Sequence, residues 1–419
     1  MALSSEARPA QPFPIGKREL VAMLALAQAL QALAIDSMLP GLAYIAADLG
    51  VSDPNRRQLV VGVFLIGVGC GALFPGTLAD RFGRKPILLG TIVAYAVLCA
   101  ACSVAQDFTI LIVFRFLCGL LSGGLAALGS AIIRDRFEGD RMASLQSLIF
   151  TVFMVVPILA PTIGQAMLLL GGWRWIFGGM AIMGFAMAIW VSLRLPETLD
   201  PANRQPITIS RIFGSTGEVL LCRPSIGYVI AGALIMGVMW GYIQSCQQLL
   251  GEHFGAGAAF PIVFGGMATF LAAGNFGNSR LVMRFGARRT GHTGLLLYAL
   301  TAFAQYLLAH TGHETLWQFI PLMALNMLFG SFIGANFASI SLQPFAHIAG
   351  AAASLQLFLR TITASLIGAA IGQAYDQSAR PLSSAMVLCS LTALGLVLFS
   401  ERGRLFRRLN PPHAPLPHP

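Results

Sequence analysis

Charge is scarce in this sequence. Charged residues make up 11% of its 419 positions, against about 25% in an ordinary soluble domain. A chain of this length with so little charge cannot cover a water-facing surface, so its solvent is largely lipid. Acidic residues are the rarer sign, 17 against 27 basic ones. Other chemistries are missing too. No loop of the G-x-x-x-x-G-K-[ST] type is present, which argues against ATP as the energy source. No His-rich cluster and no Ser–Lys or Ser–His arrangement at shared depth occurs. No metal, no cofactor and no catalytic residue is therefore expected. The seven cysteines include one C-x-x-C pair, Cys99 and Cys102, inside an apolar run and without a second pair or a nearby His. Small buried membrane residues account for it better than redox or metal chemistry. The polar, Pro-rich stretch Met1 to Lys17 lacks the short apolar core and cleavage site of a removable signal peptide.

What is abundant is apolar sequence, 56% of the chain, with 45 Gly and 22 Pro. Membrane helices tolerate both residues, Gly for close packing and Pro at helix breaks. A span needs about 20 apolar residues to cross about 30 Å of hydrocarbon. Apolar runs give twelve such spans: 19–44, 57–79, 86–105, 108–132, 143–170 and 173–194, then 224–247, 258–280, 291–311, 315–340, 350–374 and 381–400. The N-terminus and every second loop hold 21 of the 27 basic residues, and the opposite loops hold only Arg56, Arg57, Arg174 and Arg380. The positive-inside rule then places both termini in the cytoplasm. The net charge of +10 is a topology signal, and no nucleic-acid partner follows from it.

Two segments recur. Leu78-Ala-Asp-Arg81-Phe82-Gly83 returns as Leu281-Val-Met-Arg284-Phe285-Gly286, and Ala143-Ser144-Leu145-Gln146 returns as Ala353-Ser354-Leu355-Gln356. Both matches join equivalent spans of two six-helix halves, which predicts a duplicated fold with a binding cavity near mid-membrane between the halves. The expected division is an N-terminal half over 1–194, a cytoplasmic linker over 195–223, a C-terminal half over 224–400 and a disordered cytoplasmic tail over 401–419.

The loop after the second span reads Gly76-Thr-Leu78-Ala-Asp80-Arg81-Phe-Gly83-Arg84-Lys85. It resembles the G-x-L-a-D-r-x-G-r-[RK] loop motif of the major facilitator superfamily, at the matching place in the topology. Arg115 with Gly119 and Gly123 in span four resembles a second element of that family. The resemblance implies an all-α membrane fold of twelve helices in two pseudo-symmetric halves. It also implies that Gly76, Asp80, Arg81, Gly83 and Arg84 act as a conformational latch. Gly76 is expected to let helices approach closely. Asp80, taken as the only acid at this edge, is expected to meet Arg84 and a helix N-terminus. In the second copy Met283 replaces Asp80, so a weaker latch is expected there.

Further segments narrow the resemblance: Asp36-Ser-Met-Leu-Pro40, Arg134-Asp135-Arg136-Phe137, Gly172-Trp173-Arg174-Trp175 and Leu195-Pro196-Glu197-Thr198. Together with Pro157, Pro161 and Gly164 in span five, they resemble the bicyclomycin and chloramphenicol resistance (Bcr/CflA) group of drug:proton antiporters. One departure stands in the antiporter motif, where Ala160-Pro161-Thr-Ile-Gly164-Gln165 replaces the usual Gly-Pro-x-x-Gly-Gly.

Asp36 is the only acid well inside a span. It stands about 12 Å from the outer end of span one, and Arg115 stands about 10 Å from the outer end of span four. Similar depth suggests a pair. Burial and a nearby guanidinium act in opposite directions on a carboxyl group, a balance that suits proton exchange. The resemblance assigns proton coupling to an acid in this position; a purely structural ion pair is the alternative. Gln28 and Gln31 share a face with Asp36. Gln146, Phe150 and Met154 form a stripe in span five, and Met236, Trp240 and Gln244 form one in span seven. Amide, thioether and aromatic groups suit a pocket for varied amphipathic molecules, with Asn275, Asn326 and Asn336 as weaker members. Arg360 in span eleven meets either a substrate anion or carbonyl, or the carbonyls of a broken helix.

The function expected is secondary efflux, with small amphipathic or drug-like molecules leaving as protons enter, by a monomer in the bacterial cytoplasmic membrane. A proton-coupled importer or a metabolite exporter of the same fold, and a transport-dead membrane sensor, are the alternatives.

Overall fold

The computed structural model describes residues 15–72, 74–137, 139–204 and 216–407. Its elements are helical throughout the described residues. The first half comprises α1 (Lys17–Asp36), α2 (Leu42–Asp48), α3 (Leu59–Gly71), α4 (Phe74–Phe82), α5 (Arg84–Ser103), α6 (Phe108–Ser122), α7 (Leu125–Arg134), α8 (Gly139–Gly171) and α9 (Trp173–Arg194). A short α10 (Thr216–Leu221) precedes the second half: α11 (Arg223–Cys246), α12 (Phe260–Phe285), α13 (Ala287–Thr311), α14 (Leu316–Leu342), α15 (Ala349–Gln373) and α16 (Arg380–Ser400). Among the described residues, eleven segments are long and apolar enough to cross a membrane, and a pair bent by 46°, Arg56–Gly71 with Pro75–Phe82, makes a twelfth if counted as one span.

Three expected spans are therefore broken. The first divides after Asp36 into α1, a 3-10 turn Leu39–Gly41 and α2; Pro40 has no N–H to donate to the Asp36 carbonyl four residues back. The second bends before Pro75. The fourth divides at Gly123 and Gly124. The rest match their apolar runs closely.

Glycines fix the tightest helix pair. A Cβ on Gly67 or Gly71 of α3 would collide with the carbonyls of Phe116 and Leu120, and one on Gly119 or Gly123 of α6 with those of Phe64 and Val68. The four-residue spacing brings two backbones into contact along one seam, as small-xxx-small packing does in membranes. Outward-facing residues such as Ile182, Ile189 and Leu193 are exposed, which suits lipid as the outer solvent.

The repeat is visible in the backbone. Gly83 and Gly286 precede equivalent helices with φ of 106° and 85° and the same ψ of 155°. Residues with a Cβ rarely adopt this conformation.

The bundle has one end rich in Arg, where α4 meets α5 and α12 meets α13. It is called the basic end below, and the opposite one the far end. Linker residues 205–215, the N-terminal residues 1–14 and tail residues 408–419 lie outside the described residues. The tail's first part is not free chain: Glu401 pairs with Arg288 at 2.7 Å, and the Phe406 amide donates to His292 Nδ1 at 3.1 Å.

Candidate functional site

Asp36 is the last residue of α1 and is 5% exposed. Directly after it, the Ser37 hydroxyl and amide both donate to the Leu33 carbonyl, closing the helix. Gly164 of α8 packs so closely on Ser37 that a Cβ there would strike its carbonyl oxygen. The antiporter-motif helix thus rests on the break beside the buried acid, with Pro157 and Pro161 inside the same helix. The same helix meets the other half, where a Cβ on Gly265 of α12 would strike the Ile158 carbonyl of α8. Asp36 therefore lies beside the seam between halves. It makes no ion pair or hydrogen bond with another side chain among the described residues.

The expected Asp36–Arg115 pair is not formed. Arg115 is fully buried, donates from Nε to the Val60 carbonyl at 2.8 Å and from Nη2 to the Ala34 carbonyl at 2.9 Å, and lies over the rings of Phe64 and Phe177. The shared depth is right, since Ala34 is two residues from Asp36. The partner is wrong because depth along two helices says nothing about which way each side chain turns. Arg115 ties α1, α3 and α9 together, and its charge meets the Ala34 carbonyl near the C-terminal end of α1, where a cation is favoured.

A cavity of about 380 Å³ lies within the second half and against α8. Such a volume suits a drug-sized ligand. Of the residues expected to line a pocket, Phe150, Met236 and Arg360 do so, with Asn275 and Asn326. Met154 meets the Asn275 amide at 3.6 Å just behind the wall. Sequence reasoning missed Met239, Met323, Met327 and Tyr298; the four-residue spacing of Met323 and Met327, which puts them on one face of α14, is the signal that could have found two of them. Six other candidates are not on this wall. Gln28 packs against Gly129 of α7, Trp240 packs against Gly368, and Gln31 and Gln146 are half-buried elsewhere. Gln244 is buried in the seam between Gly62 and Gly368, with its Nε2 unpartnered. Asn336 is spent on Asn278 and the Phe332 carbonyl. Arg360 bonds no helix carbonyl among the described residues, and its buried Nε has no partner.

At the basic end, Asp80 pairs with Arg84 at 2.6 Å, as expected. Asp80 is not the only acid there. Arg84 also donates to Asp135 at 3.0 Å, and Glu197 accepts the amides of Arg84 and Lys85 at 2.9 and 3.3 Å. Glu197 thus takes the helix N-terminus that had been expected for Asp80. Gly83 makes this possible, since a Cβ there would collide with the Glu197 carboxylate. A Cβ on Gly76 would meet nothing within 4 Å, so close helix approach is not its role. Arg81 lies over the Phe82 ring at the surface. In the second half a carboxylate from the chain end replaces the missing Asp80: Glu401 accepts from Arg288 and from the Tyr228 hydroxyl, both at 2.7 Å. Burial pushes Glu401 up, but these two donors more than offset it and hold the group below the ordinary carboxylate range.

The far end carries the polar bonds between halves. Arg57 donates to both oxygens of Glu252 at 2.7 Å, Gln58 donates to Gln248, and the Asn55 amide donates to the Gln373 and Tyr375 carbonyls at 3.1 and 2.7 Å. Gln248 and Glu252 sit on a π-helical turn, Gln247–His253, that ends α11. Such turns recur at functional sites. Deeper in the seam, Ser365 donates to the Leu65 carbonyl at 2.9 Å. The far end is shut.

A split, duplicated bundle with a buried acid at its seam and a cavity at mid-depth is the architecture of a membrane transporter. The sequence profile of the Major Facilitator Superfamily matches residues 24–372, and the chain belongs to that family. It is a multi-pass membrane transporter, not an enzyme. An uncharacterized MFS-type transporter of Bacillus subtilis (strain 168), YdgK, is 28% identical over 395 residues, covering 91% of this chain and 97% of its own. The multidrug resistance protein MdtL of Escherichia coli O157:H7 is 28% identical over 389 residues, covering 88% and 92%. Among solved structures, a peptide transporter POT in complex with sulfate aligns with a TM-score of 0.71 at 15% identity over 93% of this chain and 98% of its own. A bacterial homolog of the lysosomal transporter Spinster aligns at 0.67 and 16% over 94% and 96%. Both share the fold.

Proposed function

We propose that the protein is a proton-coupled efflux transporter that expels small amphipathic, drug-like molecules across the bacterial cytoplasmic membrane as a monomer. The observation that carries this reading is Asp36, a carboxyl at the seam, buried to 5% exposure and without a cationic partner among the described residues. An unpaired buried charge is costly, so taking up a proton removes that cost, and exposure to water on one side lets the proton go. Closing and opening around such a group couples proton movement to the swing between two access states. The resistance protein among the relatives favours export.

In this reading the basic end faces the cytoplasm, following the Lys and Arg bias, and the far end is the outer gate. The halves 1–194 and 224–400 rock about the seam, joined through 195–223. The basic-end cluster of Asp80, Arg84, Asp135 and Glu197 acts as the latch that biases one state. One proton crossing 100 mV supplies about 2.3 kcal/mol before any pH gradient is added.

The test is Asp36→Asn in proteoliposomes with an imposed proton gradient. The variant is expected to insert, bind substrate and exchange it passively, but not to move it uphill. Uphill efflux with wild-type pH dependence in Asp36→Asn would refute the coupling role.

A further inference from the structure

The cavity wall is apolar and sulfur-rich, yet it holds one formal charge, and that charge is positive. Among the described residues lining it, Arg360 alone is ionisable apart from the Tyr298 phenol. None of the ion pairs among the described residues includes Arg360, and its Nε is buried with no hydrogen-bond partner. Gly232 stands opposite its stem, and a Cβ there would already be 3.8 Å from the Arg360 Cδ. Arg stays charged in proteins and offers a planar fork of donors. The residue is half-buried, its Nε alone being fully buried and unpartnered, and no carboxylate lining the wall answers its charge.

Met236, Met239, Met323 and Met327 line the same cavity as this charge. Thioether side chains adapt to varied apolar shapes. The wall thus presents a pliable apolar surface with one fixed donor fork at α15. The amides on the wall are engaged locally: the Asn326 oxygen accepts from the Thr301 hydroxyl at 2.9 Å, and the Asn326 and Asn275 amide nitrogens donate to the Leu322 and Leu271 carbonyls at 2.9 and 3.0 Å, which leaves the guanidinium as the fixed donor.

We propose that the cavity selects small apolar molecules bearing one anionic group, an organic carboxylate or its like, and that Arg360 is the residue that receives this group. The proposal rests on the cavity being the substrate site, as the proposed function requires. It also has an energetic consequence. Exporting an anion against an entering proton moves two positive charges inward per one-for-one cycle, so the membrane potential acts twice, where a neutral substrate would use it once.

The experiment uses the purified full chain and three probes with the same biphenyl body: a carboxylate, a carboxamide and an aminomethyl cation. Equilibrium binding is measured at pH 7.5 for wild type, Arg360→Gln, Arg360→Lys and Met236→Ala. Wild type is expected to bind the carboxylate at least about tenfold tighter than the carboxamide and the cation weakest. Arg360→Gln is expected to erase the carboxylate preference, Arg360→Lys to keep part of it, and Met236→Ala to weaken every probe. Should Arg360→Gln not fold, Arg360→Lys carries the test, since a point charge keeps the sign of the preference while losing the bidentate fork. An unchanged ranking in Arg360→Gln, or a wild-type preference for the cation, overturns the proposal while leaving the cavity as substrate site. If no probe binds, or Met236→Ala affects none, the cavity itself is not the site and both readings fall.

Discussion

The far-end clamp can be weighed from its two partners. Arg57 is 8% exposed in its side chain and Glu252 is 48% exposed, with both carboxylate oxygens at 2.7 Å from the same guanidinium nitrogen. An exposed pair is worth about 0–1 kcal/mol, and breaking a buried one costs about 3–5 kcal/mol. The half-buried pair falls between, and its two members are not equivalent. Glu252→Gln leaves a buried guanidinium whose Nε already lacks a partner. That change should destabilise the far-end-closed state by about 2 kcal/mol, roughly a thirtyfold shift of the two-state equilibrium. Arg57→Met leaves a carboxylate that can turn to water, and about 1 kcal/mol, roughly fivefold, is expected. The assay is labelling by a membrane-impermeant thiol reagent from the far side. A reporter Ala369→Cys, which faces Gly62 across the seam, is placed in a background lacking the seven native cysteines. Labelling should quicken in both variants and more in Glu252→Gln, with the double variant Arg57→Met/Glu252→Gln well short of additive. Equal rates in all four proteins, or a larger effect from Arg57→Met, would refute the idea that this pair holds the far end shut.

Two further outcomes follow from groups outside the spans. Glu197→Gln should lower folded-state stability by about 1–2 kcal/mol, because the carboxylate caps the start of α5 and also accepts the Thr198 and Leu199 amides at 2.9 Å; Arg81→Ala, at the surface, serves as a control whose melting in detergent should not change, and equal melting of Glu197→Gln and wild type would remove the cap from the argument. Burial raises Glu314 from 4.5 to about 7, so the folded chain keeps a proton that the unfolded chain releases earlier, and stability should fall as pH climbs from about 4.5 to 7. Glu314→Gln should flatten that stretch of the melting-against-pH curve, and an unflattened curve would assign the dependence to another group.

Much of the fold was legible because hydropathy and charge act locally. The spans appear as apolar runs, and the loop from Gly76 to Lys85 shows both its turn glycine and its Asp80–Arg84 spacing within one short stretch. Contacts between halves were not legible. Arg57 and Gln58 meet Glu252 and Gln248 across about 190 residues of chain, and no periodicity links them. Helix phase was the other blind spot. Gln244 has the polarity of a pocket residue, yet Gly62 and Gly368 let it sink into the seam. The basic-end cluster was half-read for a similar reason: Asp135 and Glu197 stand in visible motifs, but only packing of α5 against the chain after α9 brings them to Arg84.

Arg115 separates two accounts of the buried acid. If it balanced the charge of Asp36, replacing it by Lys would move the pH dependence of transport, because a buried Lys can lose its proton. The geometry favours a different role. Its donors go to the carbonyls of Val60 and Ala34, and its plane lies 4.4 Å from the Phe64 ring centre. A lysine ammonium is a point donor on a flexible stem and cannot serve two carbonyls on different helices while stacking on a ring. Arg115→Lys should therefore lose at least one buried bond to a charged donor, about 1.5–3 kcal/mol, with a lower melting temperature and a lower transport rate. The pH optimum should stay where it is, since Asp36 keeps its surroundings as long as α1 keeps its last turn. Arg115→Ala should be worse, leaving both carbonyls and a cavity. Melting in detergent and drug-dependent proton movement across pH, measured on the same preparations, decide the matter. A shifted optimum with unchanged melting would mean that the two charges are coupled after all, and that the carbonyl bonds are incidental to how Asp36 holds its proton.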